Sequence, residues 1–474
     1  MHVTVPLLAS DSFKQFREER NAYSASGSSL SYTENKDLLN PELVGYIQPR
    51  QTNKISILRA VVVFLNQNIG VGLLSIPFCF RTGVILNSLV LALLAFFGIS
   101  SFILLVDVSV ATGQSIDYAK FIRFSFPNSK YNLDWFPLTI IFITLLGCII
   151  LHFQYACTMI QTFFDELGDL GLAQIPKWAY NRWFLIGVPS LVIDLPLVFL
   201  RSIKALSYAS LFTLVLIIIY IIHCIYIFIL DMKSDSSASN IMNRNHSPMF
   251  TNTKFEGLTY FSFNSYFIPS LSIQAFAFTF NMMVAPTIEK LKNPTRKRQY
   301  TTFGLVIAVS CITYIFCGLL PYLALIPNID HAIVFEDFVH GRIFTIIMKA
   351  LFGVFLIMTT PLILFSCRVA FNDATFKSEF TLVRWNIMGV CILIVATVIA
   401  AAVESITTVF GFIGGVTSTT TAYVLPSIYY LRICNKESLA KTFLSWFMLP
   451  TGIVILSVCL YDSIRSIIAG DGAT

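Results

Sequence analysis

Long apolar runs separated by short polar connections occupy most of the chain. A helix that crosses a membrane needs about 20 predominantly apolar residues, and eleven segments come close to that length or exceed it. The pattern therefore predicts an all-α polytopic membrane protein with eleven transmembrane helices. In chain order, spans 1 to 11 are predicted at residues 57–79, 84–108, 137–163, 183–200, 203–230, 258–284, 301–326, 343–371, 382–402, 404–431 and 442–469.

Composition agrees with this class. Of the 474 residues, 56% are hydrophobic and 12% are charged, and the mean hydropathy is +0.74. An ordinary water-soluble domain does not carry such values. The chain is therefore expected to lie in a lipid bilayer.

The distribution of basic residues predicts the orientation. Lys and Arg concentrate in the cytoplasmic connections of membrane proteins. If the N-terminus is cytoplasmic, 23 of the 32 basic residues fall on the cytoplasmic side. We therefore expect a cytoplasmic N-terminus and a lumenal or external C-terminus. The net charge of +6 reflects this topology and gives no reason to expect a nucleic-acid partner.

Span 1 contains polar and helix-weakening residues where a continuous membrane helix would be apolar. The stretch 64–78 holds two asparagines, two glycines and a proline. Gly70 and Gly72 weaken the helix, and Pro77 removes a backbone donor. Backbone groups freed at mid-membrane depth hold substrates and ions in secondary transporters. The stretch predicts a broken helix; the alternative is a continuous helix whose glycines only allow close packing.

Later spans carry further polar groups. Span 6 contains several, among them Gln274 and Thr279. If spans 1–5 and 6–10 are inverted repeats, spans 1 and 6 correspond and both should be discontinuous, although span 6 lacks a glycine at the expected break. Span 8 has Thr359 and Thr360 before Pro361. Span 10 has a small, hydroxyl-rich face, for which close helix packing is the simpler interpretation.

A histidine in span 3 is a candidate proton carrier. His152 lies near Gln154 and Tyr155, and polar groups inside a membrane usually face the protein interior or a water-filled path. An imidazole can exchange a proton near neutral pH. The alternative is a histidine that only hydrogen-bonds between helices.

Two short motifs lie outside the predicted spans. Residues 1–53 are polar and predict a disordered cytoplasmic tail, in which Glu34, Leu38 and Leu39 form an acidic-dileucine pattern that a sorting adaptor can bind, although such a pattern also arises by chance. The loop after span 5 contains Asn245 in an N-glycosylation sequence. The proline that follows this sequence disfavours modification.

Four blocks of sequence resemble the amino acid/auxin permease family, which includes vacuolar amino acid transporters of fungi and sodium-coupled neutral amino acid transporters of animals. The resemblance extends from about residue 55 to 465. The blocks are residues 66–78, 195–206, 273–278 with 286–294, and 409–415 with 425–431.

The resemblance implies a LeuT-type fold, with ten helices in two inverted repeats of five plus one further helix. The transporter domain would be residues 54–470. Within it, the first repeat would cover about residues 57–230, the second about 258–431, and the extra helix about 442–469. In such relatives the broken part of helix 1 binds the carboxylate and amino groups of the amino acid.

The resemblance also suggests a sodium site. The sodium-coupled branch uses an asparagine of helix 1 and a threonine of helix 8, and Asn66 and Thr359 match these positions, with Thr360 as an alternative. Carbonyl and hydroxyl oxygens suit a hard cation. However, the chain lacks the lumenal cysteine pair of the animal surface transporters, and the vacuolar branch is commonly proton-coupled.

The sequence therefore predicts a monomeric secondary active transporter of amino acids in a vacuolar or lysosomal membrane, coupled to protons. The alternatives are a sodium-coupled transporter at the plasma membrane and an amino acid sensor that transports little. No enzyme is expected, because no acid, base and nucleophile converge, and no cofactor is expected besides the coupling H⁺ or Na⁺. The predicted substrate-binding residues, between spans 1, 6, 8 and 10, are Asn66, Asn68, Ile69, Gly70, Val71, Gly72, Leu73, Gln274, Phe276 and Thr279.

Overall fold

The computed structural model divides the chain into residues 1–54 and 55–474 and describes only part of the second unit. The acidic-dileucine pattern at Glu34, Leu38 and Leu39 lies outside the described residues, as does Asn245. The structure describes residues 55–469 except 173, 200–212, 214, 231–257, 282–283, 285–287, 289–290, 327–328, 339–341, 377–380 and 435–437.

The regular structure of the described residues is helical, apart from one isolated β-bridge between Ile55 and Leu291. Six of the helices are long and apolar enough to cross a membrane, and a bent pair in span 1 makes a seventh. The six are spans 2, 3, 7, 8, 9 and 11, at Val84–Thr112, Trp135–Asp169, Arg296–Leu325, Ile343–Thr375, Leu382–Ala402 and Leu439–Ala469. The count of eleven and the inverted repeat remain predictions.

Spans 4, 5 and 10 are shorter or less regular in the described residues. Span 5 is the helix Val215–Leu230. Spans 4 and 10 contain π-helical turns, in which each hydrogen bond reaches one residue further along the chain than in an α-helix. Span 4 comprises Arg182–Pro189, the π-helical Ser190–Asp194 and Leu195–Val198; span 10 comprises Ile406–Phe410, the π-helical Gly411–Ser418 and Thr420–Val424, and Leu425–Ile433.

The helix of span 6 begins later than predicted. The sequence predicts a span at 258–284, whereas the helix runs only over Phe267–Ala277. Residues 258–266 are not helical; they lie along the start of span 2, where the amide of Val84 donates to the carbonyl oxygen of Thr259 at 2.9 Å. The predicted start at residue 258 was wrong, because a hydropathy scan does not distinguish a non-helical, aromatic-rich segment from a helix.

The turn between spans 1 and 2 requires a glycine. Gly83 has a φ angle of +107°, and a Cβ atom there would lie 2.6 Å from the carbonyl oxygen of Tyr260. Both the positive φ angle and the close approach of the backbone exclude an ordinary side chain. This contact fixes the end of span 1 against the segment that precedes span 6.

An aromatic cluster anchors the first half of span 1. Phe64 packs on Phe280 and Phe303, and the ring of Phe102 stacks on that of Phe303 with centroids 4.3 Å apart. These residues come from spans 1, 2 and 7 and from the non-helical residues that follow the helix of span 6. Because interdigitated rings hold their helices in fixed positions, the first half of span 1 is held against all three.

Candidate functional site

Span 1 is broken where the sequence predicts. Its first helix, Ile57–Asn68, ends at an extended Ile69, and Gly70 has φ and ψ angles of −130° and −141°. A 3₁₀-helix, Val71–Ser75, then continues the span, and the two halves are bent by 54°. The broken helix is therefore confirmed, and the alternative of a continuous helix is wrong.

A cavity lies beside the break. Its interior volume is about 20 Å³, and the empty space reaches about 300 Å³ only when the open solvent at its mouth is included. Most of its wall is apolar, so the main polar groups near it are those of the interrupted backbone; the first amides of a helix have no partner within that helix. The lining residues are Ile69, Gly70, Val71, Leu73 and Leu74 of span 1, Thr213, Leu216 and Ile217 of span 5, and Phe352, Phe355 and Leu356 of span 8.

A tyrosine of span 7 joins the broken parts of spans 1 and 6. The Tyr314 hydroxyl lies 2.9 Å from the carbonyl oxygen of Asn68 and 2.8 Å from that of Ala277, the last residues of the two helices. The Asn68 side-chain amide donates to the Ser310 hydroxyl at 2.7 Å, also on span 7. The sequence analysis missed Tyr314 and Ser310, because one tyrosine and one serine in an apolar helix give no signal.

The predicted discontinuity of span 6 is present. Its helix ends at Ala277, and residues 278–280 are not helical. A Cβ atom on Gly72 would lie 3.4 Å from the Cβ atom of Ala277. The two breaks are therefore in contact, even though span 6 has no glycine at its own.

The predicted binding residues of span 6 lie away from the cavity. The Gln274 side-chain amide donates to the Asn87 side-chain oxygen at 2.7 Å, and the Thr279 hydroxyl donates to the carbonyl oxygen of Ala275 at 2.7 Å. The ring of Phe276 packs edge-on against Phe410, with centroids 5.4 Å apart. Of the ten predicted residues, the cavity brings together Ile69, Gly70, Val71 and Leu73.

Span 10 does not line this cavity either. A Cβ atom on Gly414 would overlap the carbonyl oxygen of Ser272 in span 6, and one on Gly415 would overlap Cys459 in span 11. The face of small residues on span 10 therefore allows close helix packing, which was the simpler of the two interpretations of its sequence.

The candidate sodium ligands are not joined by any contact that the structure describes. The side-chain oxygen of Asn66 is buried and has no hydrogen-bond partner among the described residues. The Thr359 hydroxyl donates to the carbonyl oxygens of Phe355 and Leu356, each at 3.1 Å, and the Thr360 hydroxyl donates to Leu356 at 3.0 Å. Hydroxyl oxygens that donate in this way keep their lone pairs, so both threonines retain the oxygen chemistry of a cation site.

The candidate proton carrier of span 3 bonds within its own helix. The Nδ1–H of His152 donates to the carbonyl oxygen of Cys148 at 2.7 Å. This bond fixes the ring and leaves Nε2 as the nitrogen that can accept a proton. His152 is not among the residues that line the cavity.

The loop between spans 7 and 8 covers the second half of span 1. The Ser75 hydroxyl contacts the Tyr155 hydroxyl of span 3 and donates to the carbonyl oxygen of Ala332 at 2.5 Å. Arg81, two residues after span 1, forms an ion pair with Asp330 at 3.3 Å. The loop is thus fixed to the half of span 1 that lines the cavity.

Comparison with known proteins agrees with this architecture. Residues 53–467 match the family model described as transmembrane amino acid transporter protein. The chain belongs to this family, the amino acid/auxin permeases. It is therefore an integral membrane protein of a transporter family, and not an enzyme.

Relatives within the family are distant. Sodium-coupled neutral amino acid symporter 2 of Danio rerio is 26% identical over 272 residues, which cover 55% of this permease and 54% of the relative. Sodium-coupled neutral amino acid transporter 4 of Homo sapiens is 23% identical over 317 residues, covering 55% and 57% of the two chains. The matched part thus spans about half the length of these relatives.

A solved structure shares the fold. The crystal structure of MhsT in complex with L-phenylalanine has a TM-score of 0.53 at 12% identity and covers 87% of this permease and 100% of that chain. The likeness establishes that the permease has a LeuT-like helical fold.

Proposed function

We propose that this permease is a secondary active transporter of neutral amino acids. The observation that carries the proposal is the cavity at the break of span 1. A broken helix supplies unpaired backbone groups for the carboxylate and amino groups that all amino acids share. Apolar lining residues such as Phe352 and Leu356 offer no charged group with which a charged substrate side chain could pair. Such a site suits an uncharged substrate, and the two relatives named above are neutral amino acid carriers.

The substrate carboxylate should lie against the backbone amides of residues 70–72, because the amide of Leu73 already donates to the carbonyl oxygen of Gly70 at 3.1 Å. These amides begin a helical segment, where backbone donors and the helix dipole favour an anion. Alternating access would then expose the cavity to each side of the membrane in turn, within a monomer of eleven helices arranged as two inverted repeats of five plus one.

Protons are the proposed coupling ion. A vacuolar or lysosomal lumen is acidic and supplies a proton gradient, and the Nε2 atom of His152 is a nitrogen that can accept a proton. Sodium is the second candidate, for two reasons. The two relatives named above are sodium-coupled, and the buried oxygen of Asn66 has no partner in the part of the chain that the structure describes.

Uptake into proteoliposomes tests the function and the coupling together. Purified protein would be supplied with a panel of labelled amino acids under a pH gradient in sodium-free buffer, and separately under a sodium gradient at equal pH. We expect neutral amino acids to accumulate under the pH gradient, and His152→Gln to reduce this accumulation. Accumulation that needs sodium and does not depend on pH would show that sodium, not the proton, is the coupling ion. Binding without uptake would favour the sensor.

The proposed location is a vacuolar or lysosomal membrane, with the N-terminus in the cytoplasm. Replacing Leu38 and Leu39 with alanine should then move the protein to the cell surface, because a sorting adaptor would no longer bind the tail. The matched control replaces Leu7 and Leu8, a second leucine pair in the same tail that lacks the preceding acid. If the variant with Leu38 and Leu39 replaced keeps the wild-type distribution, the dileucine pattern is a chance match and not a sorting signal.

A further inference from the structure

Span 4 contains a buried carboxyl group that the site described above does not use. Asp194 is 0% exposed, and neither oxygen of its carboxyl group has a hydrogen-bond partner among the described residues. It is the last residue of the π-helical turn Ser190–Asp194, between Pro189 and Pro196. π-helical turns of this kind are frequent at functional sites.

A charged carboxylate is costly in this position. Transfer of an unpaired ion from water into a membrane interior is strongly unfavourable, whereas the protonated acid is neutral. The conformation described here, with both oxygens buried and unpartnered, therefore favours the protonated form of Asp194.

A buried cation lies about one helical turn away along span 4 and is not paired with Asp194. The guanidinium group of Arg368, on span 8, is 3% exposed, and its Nη1 donates to the carbonyl oxygen of Val198 at 3.3 Å. Val198 follows Asp194 by four residues, about one turn of helix. Arg368 also stacks on Trp385 at 4.5 Å, and its Nε atom has no hydrogen-bond partner in the described part of the chain.

The other ionisable groups on spans 8 and 9, the spans packed against this turn, make other contacts. Lys349 pairs with Glu166, Arg384 lies over the ring of Phe376, and Asp373 accepts a hydrogen bond from Asn372. The two spans also contain Cys367 and Cys391. Arg201 and Lys204 lie outside the described residues.

We propose that Asp194 is a proton-binding site of the transport cycle and that Arg368 is the cation with which it pairs after the proton leaves. The inference rests on the proposed proton-coupled function. An O–H bond forms on one Asp194 oxygen with a proton from water on one side of the membrane and breaks by release to water on the other. When the carboxylate is charged, Arg368 exchanges the Val198 carbonyl for it, which moves span 8 relative to span 4. Span 8 lines the cavity through Phe352, so the proton and the substrate can affect each other.

Gradient-driven uptake tests the site. One pH unit supports about tenfold accumulation of a substrate that moves with one proton. Asp194→Asn should lose this accumulation, because an amide binds no proton at these pH values. Asp373→Asn removes a more exposed carboxyl of span 8 and is the matched control; it should behave as the wild type. Counterflow of labelled substrate at equal pH on both sides reports whether Asp194→Asn still folds and binds substrate.

Infrared spectroscopy of the purified protein gives a measurement that does not need transport. Because Glu336 is also partly protonated near neutral pH, the comparison is made in the Glu336→Gln background. That protein should show the carbonyl stretch of a protonated carboxyl group at neutral pH, lost when Asp194→Asn is added and kept when Asp373→Asn is added. In Arg368→Gln this band should persist to higher pH than in the wild type, because the charged carboxylate loses its partner, and Arg368→Lys should partly restore the wild-type pH dependence.

The outcomes separate this inference from the proposed function. Full gradient-driven accumulation by Asp194→Asn, or an infrared band that the substitution leaves unchanged, would overturn the role of Asp194 while proton-coupled transport stands. A wild type driven by sodium and insensitive to pH would overturn the proton coupling and this role with it, while amino acid transport stands.

Discussion

The hydroxyl group of Tyr314 lies 2.9 Å from the carbonyl oxygen of Asn68, at the point where the first helix of span 1 ends. The same hydroxyl lies 2.8 Å from the carbonyl oxygen of Ala277, where the helix of span 6 ends. A helix that stops inside a membrane leaves carbonyl groups that need a donor. One fully buried side chain of span 7 therefore serves both breaks.

Tyr314→Phe should destabilise this junction. The substitution keeps the ring and removes the single hydroxyl hydrogen that the two buried carbonyl groups share, so the junction loses its donor at a cost of about 1–3 kcal/mol. We expect a lower unfolding temperature in detergent and slower substrate uptake. Tyr322→Phe is the matched control, because that hydroxyl on the same span bonds Thr259, away from both breaks. Equal effects of the two substitutions would contradict the role of Tyr314.

The break in span 1 could be predicted because it depends on local chemistry. Gly70, Gly72 and Pro77 weaken any helix in which they lie together, whatever surrounds them. Most of the long helices could be predicted for the same kind of reason, since apolar length decides whether a segment can cross a membrane.

The neighbours of the break could not be predicted from the sequence. The donor to Asn68 comes from Tyr314, far along the chain, and the cavity wall includes span 5, which no motif had indicated. Gln274 is as polar as a binding residue, yet it bonds Asn87. The sequence shows that a polar group is buried, whereas tertiary packing decides which partner satisfies it.

The two glycines at the break should respond differently to substitution. A Cβ atom on Gly70 would meet nothing within 4 Å, whereas one on Gly72 would touch Ala277 and Phe276. Gly70→Leu should therefore fill the cavity and abolish uptake while the protein remains stable. Gly72→Leu should also abolish uptake, but by forcing spans 1 and 6 apart at a cost of about 1–3 kcal/mol.

Substrate uptake and the thermal stability of the purified variants distinguish these effects. Gly304→Leu is a suitable control, because a Cβ atom at that position in span 7 also meets nothing within 4 Å. Normal uptake by both Gly70→Leu and Gly72→Leu would contradict the assignment of this stretch to the substrate site.

An ion pair joins spans 3 and 8 in the interior. The Nζ atom of Lys349 lies 2.9 Å from Oε1 of Glu166, and both side chains are fully buried. Lys349→Met leaves the Glu166 carboxylate without this cation, which for a buried pair costs about 3–5 kcal/mol. The double variant Lys349→Met with Glu166→Gln should regain much of this stability. Unfolding of each variant in detergent gives the coupling energy, and a double variant less stable than Lys349→Met would contradict the pairing.

The loop over span 1 should be held more firmly in acid. The Nδ1–H of His331 donates to Asp337 at 2.7 Å, next to Glu336. Burial lowers the pKa of His331, but the hydrogen bond with Asp337 and the charges of Glu336 and Asp337 outweigh this effect and raise the pKa overall. Burial raises the pKa of Glu336 from 4.5 to about 7.

Both shifts act in the same direction. A histidine whose pKa is raised in the folded loop stabilises it below the ordinary histidine pKa, and this stabilisation is lost as the pH rises through the raised value. A buried carboxyl group with a raised pKa is accommodated while protonated and destabilises the loop as it ionises, between pH 4.5 and about 7 for Glu336. The loop should therefore loosen as the pH rises from acid to neutral and beyond.

Hydrogen exchange of residues 329–338 measures this effect directly. After correction for the intrinsic rate, exchange should be slower at about pH 5 than at about pH 8. His331→Gln and Glu336→Gln should each flatten the dependence, and the variant with both should nearly abolish it. Residues 174–181, the loop between spans 3 and 4, contain no histidine or acidic residue and are the internal reference. Because Ser75 donates to Ala332 in this loop, tighter closure in acid would also hold the second half of span 1 in place. If exchange in residues 329–338 follows that of the reference loop at every pH, the loop is not held more firmly in acid.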